Sequence, residues 1–186
     1  MNAFDHLNFI GFDRDSESVL NSKSEHNVYH LNFSEIYNFL SDKNFLPLSG
    51  ILYDFGLSSH QIDTDYRGFS FQKDSPLDMR MNTNQKLTAE IIVNSYSEKD
   101  LSRILKIYGE DKYFYKITKK IIELRPLSTT TELVKAIKEA LPRQNPIFTD
   151  KSIRRIFQAL RIEVNNELNE IQLSLDSIKG SINQKG

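Results

Sequence analysis

The stretch that decides the fold is "GILYDFGLSSHQID", residues 50–63. It opens with an apolar run that ends on Asp54, and Gly56 and two serines follow. A buried strand that ends in this way carries a carboxylate at its carboxyl end, where parallel α/β proteins hold their ligands. We therefore expect Asp54 to lie at a functional site, with Gly56 allowing a ligand to approach the backbone closely.

Two further strand patterns precede this stretch. The runs "LNFIGFDRD" (7–15) and "NVYHLNF" (27–33) are rich in Ile, Val and aromatic residues, and a helical pattern follows each of them. Alternation of strand and helix predicts parallel strands joined by crossover connections. The fold class is therefore expected to be α/β, with about three parallel strands that form part of a Rossmann-like sheet in residues 1–66.

The pattern changes after this sheet. An irregular polar and aromatic loop, "RGFSFQKDSPLDMRM" (67–81), is followed by apolar residues at helical spacing. Ser97 is expected to cap one of these helices, and a long helical pattern over 150–178 is expected to break near Asn165 and Asn166. The predicted organisation is a sheet domain at 1–66, an inserted loop and helical domain at 67–155, and a return helix to the sheet domain at 156–186.

The composition is that of a soluble globular protein, with 39% hydrophobic and 26% charged residues among 186. No apolar run approaches the ~20 residues of a membrane span, and the N-terminus lacks a signal-peptide pattern, so we expect no membrane partner and a cytoplasmic location. The chain has no cysteine. Disulfides, thiolate zinc sites and cysteine nucleophiles are therefore excluded, and the four histidines show no metal-ligand spacing, so no metal site is expected.

Charge is distributed unevenly along the chain. Residues 1–85 hold 6 Lys and Arg against 12 Asp and Glu, residues 86–161 hold 16 against 9, and residues 162–186 hold 2 against 4. The net charges are thus −6, +7 and −2. A positive middle segment indicates contact with a polyanion such as RNA, although basic helical faces that are merely solvated would give the same balance.

Asp13 and the irregular loop allow two interpretations each. Asp13 ends a predicted strand, where an acid can accept hydrogen bonds from a ribose diol, but it could equally cap the following helix. The loop at 67–81 combines aromatic and arginine side chains that could stack on an extruded base, or that could pack on one another. The same choice holds for "RRIFQALRIEVNNEL" (154–168), which is either a core helix with a solvated basic side or an RNA contact.

Four stretches together are similar to the ribosomal small-subunit RNA cytosine-N4 methyltransferase family. They are "ILYDFGLSSHQIDTDYRGFSFQKDSPLDMRMN", "YGEDKYFYKITKKI", "TTTELVKAI" and "RRIFQALRIEVNNELNEI". The resemblance runs in order over nearly all of residues 7–186. It implies an S-adenosylmethionine-dependent enzyme that methylates the exocyclic amine of a cytosine, with a helical domain inserted into a Rossmann-like domain. The absence of cysteine agrees, because methylation at cytosine carbon 5 would require a cysteine nucleophile.

Site residues follow from the resemblance position by position. It implies that Asp54 holds the target amine, and that small-subunit ribosomal RNA is the substrate. The expected S-adenosylmethionine-binding residues are Asp13, Phe33, Asp54 and Gln61. The expected RNA-binding residues are Arg67, Phe69, Phe71, Arg80, Lys116, Lys119, Lys120, Arg154 and Arg155.

The sequence departs from the family pattern at both ends. The family has an N-terminal glycine-rich loop and, after the helical domain, further strands, and neither is found here. We therefore expect a fragment of the family protein, completed by a second copy or by a complementing fragment. The alternative function is that of a non-catalytic remnant or an RNA-binding module.

Overall fold

The chain forms two compact units. One comprises the residues up to Asp54 and those from Glu167 onward, and the other runs from Phe55 to Asn166. The second unit therefore extends beyond the predicted insert at both ends. The computed structural model describes residues 8–22, 27–58, 61, 66–142 and 146–182.

The first unit begins with the predicted strand–helix–strand pattern. Asp15 caps the first helix, because its carboxylate accepts the backbone N–H of Glu17. The two strands pair in parallel, with Asp13 opposite His30 at their carboxyl ends. The elements are β1 (Ile10–Asp13), α1 (Ser16–Asn21), β2 (Asn27–His30), a 3-10 helix (Phe33–Glu35) and α2 (Ile36–Asp42).

The prediction of a third strand at residues 50–56 is wrong. Residues 50–56 form no strand, and the parallel sheet of the described residues consists of β1 and β2. A strand exists only where a neighbouring strand satisfies its backbone groups, and no described segment pairs with residues 50–56. Burial nevertheless alternates as in extended chain, since Tyr53 is partly buried whereas Leu52 is 92% exposed.

The last helix of the chain, α8 (Glu167–Ile178), closes the first unit. Its residue Ile178 packs with Ile36 and Leu40 of α2 in a small buried cluster. An isolated parallel bridge between Leu48 and Ile182 follows the helix. This unit is therefore supported by a small apolar core and by the polar contacts that α8 makes.

The second unit is helical and has a much larger core. Ser97 caps one helix and Thr129 caps another, each through its side-chain oxygen, and the prediction for Ser97 is confirmed. Among its described residues, the helices are α3 (Ala89–Ser95), α4 (Glu98–Ile107), α5 (Phe114–Glu123), α6 (Thr130–Ala140) and α7 (Pro146–Asn165). Their fully buried side chains include Ile92, Leu101, Ile104, Leu105, Ile117, Ile121, Leu133 and Ile137.

The long helical pattern at the end of the chain breaks where the sequence predicts. Helix α7 ends at Asn165, and α8 begins at Glu167. Asn166 between them has a φ of 50°, a left-handed conformation that asparagine tolerates better than most residues. The break separates the two units, because Asn166 belongs to the second and Glu167 to the first.

The loop at 67–81 is closely folded on itself. Met79 donates its backbone N–H to the carbonyl of Arg67, and Pro76 forms a bridge with Thr129. Gly68 has a φ of 69°, and a Cβ at this position would lie 2.2 Å from the carbonyl oxygen of Pro76. Glycine is therefore required here both by the backbone conformation and by the space. Among the described helices, none combines the length and apolar character that a membrane span needs.

Candidate functional site

Asp13 ends β1, and its carboxylate lies partly buried. Its Oδ1 accepts the backbone N–H of Asp15 at 2.8 Å. Burial raises the pKa of Asp13, and the Asp15 backbone hydrogen bond opposes this effect. Asp15 is the residue that caps α1, so the capping interpretation of Asp13 is not needed to explain the helix. A half-buried carboxylate at the end of a parallel strand is chemically suited to accept hydrogen bonds from a diol.

Arg14 joins this carboxylate to the acids of α8. It is 7% exposed, and burial lowers the pKa of its guanidinium, while Glu170, Glu167 and Asp13 oppose that shift through their charges. A buried arginine needs such acids around it, because its charge cannot be removed at physiological pH. Arg14, Glu167 and Glu170 are not among the residues that the sequence predicted for the candidate site. The position of Arg14, directly after the acid that ends β1, was the feature of the sequence that could have indicated its role.

Phe33 starts the 3-10 helix of the first unit, and Glu170 fixes that helix in place. The Oε2 atom of Glu170 accepts hydrogen bonds from the Oγ of Ser34 at 2.6 Å and from its backbone N–H at 3.4 Å. The ring of Phe33 packs edge-on against Tyr53, with centroids 6.3 Å apart. The side chain next to Phe33 is thus held by a helix that lies more than a hundred residues away in sequence.

Asp54 is exposed at the end of the first unit, and its neighbour Tyr53 is anchored to α8. The Oη of Tyr53 and the Oγ of Ser174 lie 2.7 Å apart in a hydrogen bond. Ser174 and Glu170 are four residues apart and therefore share one face of the helix. One face of α8 thus contacts the residue beside Phe33 and the residue beside Asp54. The exposed carboxylate of Asp54 is available to an incoming group.

Gln61 lies in the second unit, so its assignment with Asp54 to one pocket stays a prediction. It is 4% exposed, and its Oε1 accepts the backbone N–H of Ser58 at 3.0 Å. Its own backbone N–H donates to the Oγ of Ser58 at 3.2 Å. This reciprocal pair links Gln61 to Ser58, so a structural role for Gln61 is evident.

The predicted RNA-binding residues at the start of the loop are buried. Arg67 is 2% exposed and donates its Nη2 to the carbonyls of Arg80 and Met81 at 2.8 and 2.9 Å. Its guanidinium lies 5.5 Å from the ring centroid of Phe69, which belongs to the core. Both side chains hold the loop together, so the interpretation in which the loop packs on itself fits them better than contact with RNA.

Arg80 also stabilises the loop. Its Nε and Nη2 form a bidentate ion pair with the Asp78 carboxylate, and its Nη1 donates to the carbonyls of Thr83 and Gln85. Burial raises the pKa of Asp78, but the hydrogen bonds from Arg80 together with the charges of Arg80 and Arg67 lower it overall. Asn165 completes the arrangement, since its amide donates to the Met79 carbonyl and accepts the Met81 N–H. The sequence predicted a helix break near Asn165 but not this role.

The remaining predicted RNA-binding residues lie at or near the surface of the second unit. Phe71 packs edge-on against Phe157, and the Arg154 guanidinium lies 5.3 Å from the ring centroid of Phe71. Lys120 pairs with Glu123 at 2.8 Å, and Lys119 lies 4.7 Å from the Tyr115 ring centroid. Lys116 and Arg155 are exposed. The exposed side chains of Lys116, Lys119, Arg154 and Arg155 are accessible to a polyanion, in contrast to Arg67 and Phe69. Phe71 is partly buried against the core.

The whole chain, residues 1–186, matches the MraW methylase family. The chain is 40% identical to a ribosomal RNA small subunit methyltransferase H from Clostridioides difficile (strain 630) over 96% of its own length. Proteins of the same name from Chloroherpeton thalassium and Mycoplasma mycoides subsp. mycoides SC are 41% and 42% identical, each over 95% of this chain. The chain spans 60%, 60% and 57% of these three relatives, respectively.

Proposed function

Because this chain belongs to the MraW methylase family, we propose that it takes part in S-adenosylmethionine-dependent methylation of the N4 amine of a cytosine in small-subunit ribosomal RNA. The relatives that it matches are named as small-subunit ribosomal RNA methyltransferases. The observation that carries the proposal is the pair of carboxylates in the first unit. One, Asp13, is half-buried at a strand end, and the other, Asp54, is exposed.

The residues of the first unit fit the nucleoside part of S-adenosylmethionine. The carboxylate of Asp13 has the acceptor chemistry that a ribose diol needs, and its position after a parallel strand supports that role. Phe33 offers an aromatic ring, fixed against Tyr53, for contact with an adenine. When bound, S-adenosylmethionine supplies a methyl group on a positively charged sulfur.

Asp54 is assigned to the target amine. The lone pair of the cytosine amine is delocalised into the ring, so this nitrogen is a poor nucleophile. A carboxylate that accepts a hydrogen bond from the amine favours its pyramidal, reactive form and orients it. The exposure of Asp54 supports this role, because a base must reach the carboxylate from solvent. Tyr53, tied to Ser174, restricts the backbone beside it.

The test compares Asp54→Asn with Asp42→Asn, an exposed acid of the same unit at the end of α2. Transfer of a labelled methyl group to purified small ribosomal subunits is measured for each protein. We expect the Asp54 variant to lose at least tenfold in rate with an unchanged circular dichroism spectrum, and the Asp42 variant to match the parent. Equal rates for the Asp54 variant and the parent would remove Asp54 from the reaction.

Binding without methyl transfer is the second candidate function. It is favoured by the self-contained core of the second unit and by its exposed cations. Calorimetric titration with S-adenosylmethionine separates the two candidates. Micromolar binding that Asp13→Asn weakens supports the enzyme, whereas no binding at millimolar ligand, with RNA binding intact, supports the RNA-binding module.

A further inference from the structure

A shallow groove of about 470 Å³ lies between α4 and α5 of the second unit. Its volume falls in the range of about 300–1,000 Å³ that is typical of small-ligand sites. Cationic and aromatic side chains dominate its walls, and one acid, Glu98, lies at the end where α4 begins. The lining residues are Glu98, Lys99, Ser102, Arg103, Lys106, Phe114 and Tyr115.

The cations of the groove come from one face of α4. Lys99, Arg103 and Lys106 follow one another at spacings of four and three residues, which align side chains along a helix. The opposite face of α4 is fully buried in the core through Leu101 and Leu105. Packing of the apolar face therefore fixes the cationic face toward solvent. Arg103 makes a long contact of 3.4 Å with Glu163, and its side chain is 45% exposed. Its pKa is raised, first by a side-chain hydrogen bond with Tyr108 and then by the charge of Glu163.

Aromatic rings form the other wall, and each has a lysine beside it. Phe114 and Tyr115 start α5 and line the groove, whereas Tyr113 precedes the helix and is not among the lining residues. Lysine nitrogens lie 4.7–5.7 Å from the centroids of all three rings. Tyr115 is 48% exposed, so much of its ring is available for a further contact. The lysine–ring pairs are Lys106 with Phe114, Lys112 with Tyr113, and Lys119 with Tyr115.

We propose that this groove binds an unpaired segment of RNA, with a base stacked on Tyr115 and the flanking phosphates on Lys99, Arg103 and Lys106. A positive groove interleaved with aromatic rings is the arrangement that binds single-stranded nucleic acid. An unpaired base is required, because the faces of bases within a duplex are already stacked. The inference rests on the proposed function, since it identifies how the RNA substrate is held outside the methyl-transfer residues.

The test uses a single-stranded RNA of about ten nucleotides that contains 2-aminopurine, whose fluorescence is quenched by stacking. In Tyr115→Ala we expect affinity to fall about tenfold and quenching to be lost, whereas Tyr115→Phe should retain both. The same RNA annealed to its complement should bind more weakly and show no further quenching on binding, because its bases are already stacked. Wild-type affinity and quenching in Tyr115→Ala would overturn the stacking role.

The phosphate contacts are tested by the double variant Lys99→Glu with Lys106→Glu. Loss of two contacts should reduce the slope of log affinity against log salt by about 1.4, since each phosphate contributes about 0.7 with single strands. The matched control is Lys135→Glu with Lys138→Glu. These lysines line another shallow groove, on α6, whose lining residues include no aromatic ring.

The outcomes distinguish this inference from the proposed function. If the slope of log affinity against log salt falls equally in the two double variants, the attraction to RNA is diffuse. That result would overturn the proposal that the groove is the binding site. If an acidic peptide of equal charge competes for the groove as well as unlabelled RNA does, the proposal that the ligand is RNA would be overturned. Methyl transfer is measured separately, so a protein that binds RNA in the groove but transfers no methyl group would contradict the proposed function and leave the groove supported.

Discussion

The two units differ in the amount of apolar core that supports them. Among the described residues, the core cluster of the second unit contains 22 buried apolar residues, whereas that of the first unit consists of Ile36, Leu40 and Ile178. The first unit instead has a set of polar contacts between α8 and the residues beside Phe33 and Asp54. Apolar burial is the dominant stabilising term in folding, so we expect the second unit to be the more stable one.

The largest expected effect is on the core of the second unit. Leu105→Ala removes a fully buried side chain from α4, and such a truncation costs about 2–5 kcal/mol. Ile107→Ala on the same helix removes a side chain that is 56% exposed and should cost about 0.5 kcal/mol or less. Chemical denaturation measures both, and equal costs would contradict the core described for this unit.

The next effect concerns the polar support of the first unit. Glu170→Ala removes the acceptor for Ser34 and a charge close to Arg14, and hydrogen bonds to charged groups are worth about 1.5–3 kcal/mol. Amide hydrogen exchange over α2 should then accelerate, while exchange over α4 should stay as in the parent. Gln172→Ala, at an exposed position of the same helix, is the control and should leave both unchanged.

A similar effect is expected where a polar side chain supports the second unit. Asn165→Ala leaves the Met79 carbonyl and the Met81 N–H without their partner, at a cost of about 1–3 kcal/mol. Asn166→Gly changes the adjacent exposed residue, whose positive φ suits glycine, and should be close to neutral. If thermal unfolding ranks the two variants the other way, the loop is not held by Asn165.

The smallest expected effect is on how the stability of the first unit depends on pH. Burial raises the pKa of Asp13, so the folded state favours the protonated carboxyl and its contribution to stability is present below the ordinary value of 3.8. That contribution is lost as the pH rises through the folded pKa. Asp13→Asn should therefore be at least as stable as the parent at pH 7 while binding S-adenosylmethionine more weakly.

Stability measured from pH 3 to pH 8 checks this prediction. The free energy of unfolding of the variant minus that of the parent should increase as the pH rises. A variant that is less stable than the parent at pH 7 would mean that Asp13 stabilises the fold, and that a role in binding is not needed to explain a buried acid. The pair of measurements thus separates a functional carboxylate from a structural one.

The sequence predicted features that depend on neighbouring residues. Ser97 begins a helix because its hydroxyl satisfies an N–H three residues later, and the break at Asn166 is likewise local. Strand formation at 50–56 could not be predicted in the same way. The apolar pattern of "GILYDFG" is correct for a buried strand, but a strand also needs a neighbour, and the pattern contains no information about one.

The site role of Asp13 and Asp54 stays a prediction, whereas the structure gives Arg67 of the predicted RNA-binding set a structural role. Asp13 and Asp54 are recognisable because an acid after an apolar run is itself unusual. Arg67 has the same side chain whether it binds phosphate or caps a loop, and its actual acceptors are the carbonyls of Arg80 and Met81, 13 and 14 residues away. Such a partner depends on tertiary structure, which single-sequence patterns do not contain.

The spacing of the two α8 contacts has a consequence for insertions and deletions. Glu170 reaches Ser34 and Ser174 reaches Tyr53 because four residues make slightly more than one helical turn. One added or deleted residue between them would rotate one contact about 100° relative to the other. Hydrophobicity and charge could be conserved perfectly in such a variant, yet only one contact could form. The length of this interval is therefore constrained as tightly as the identity of its residues.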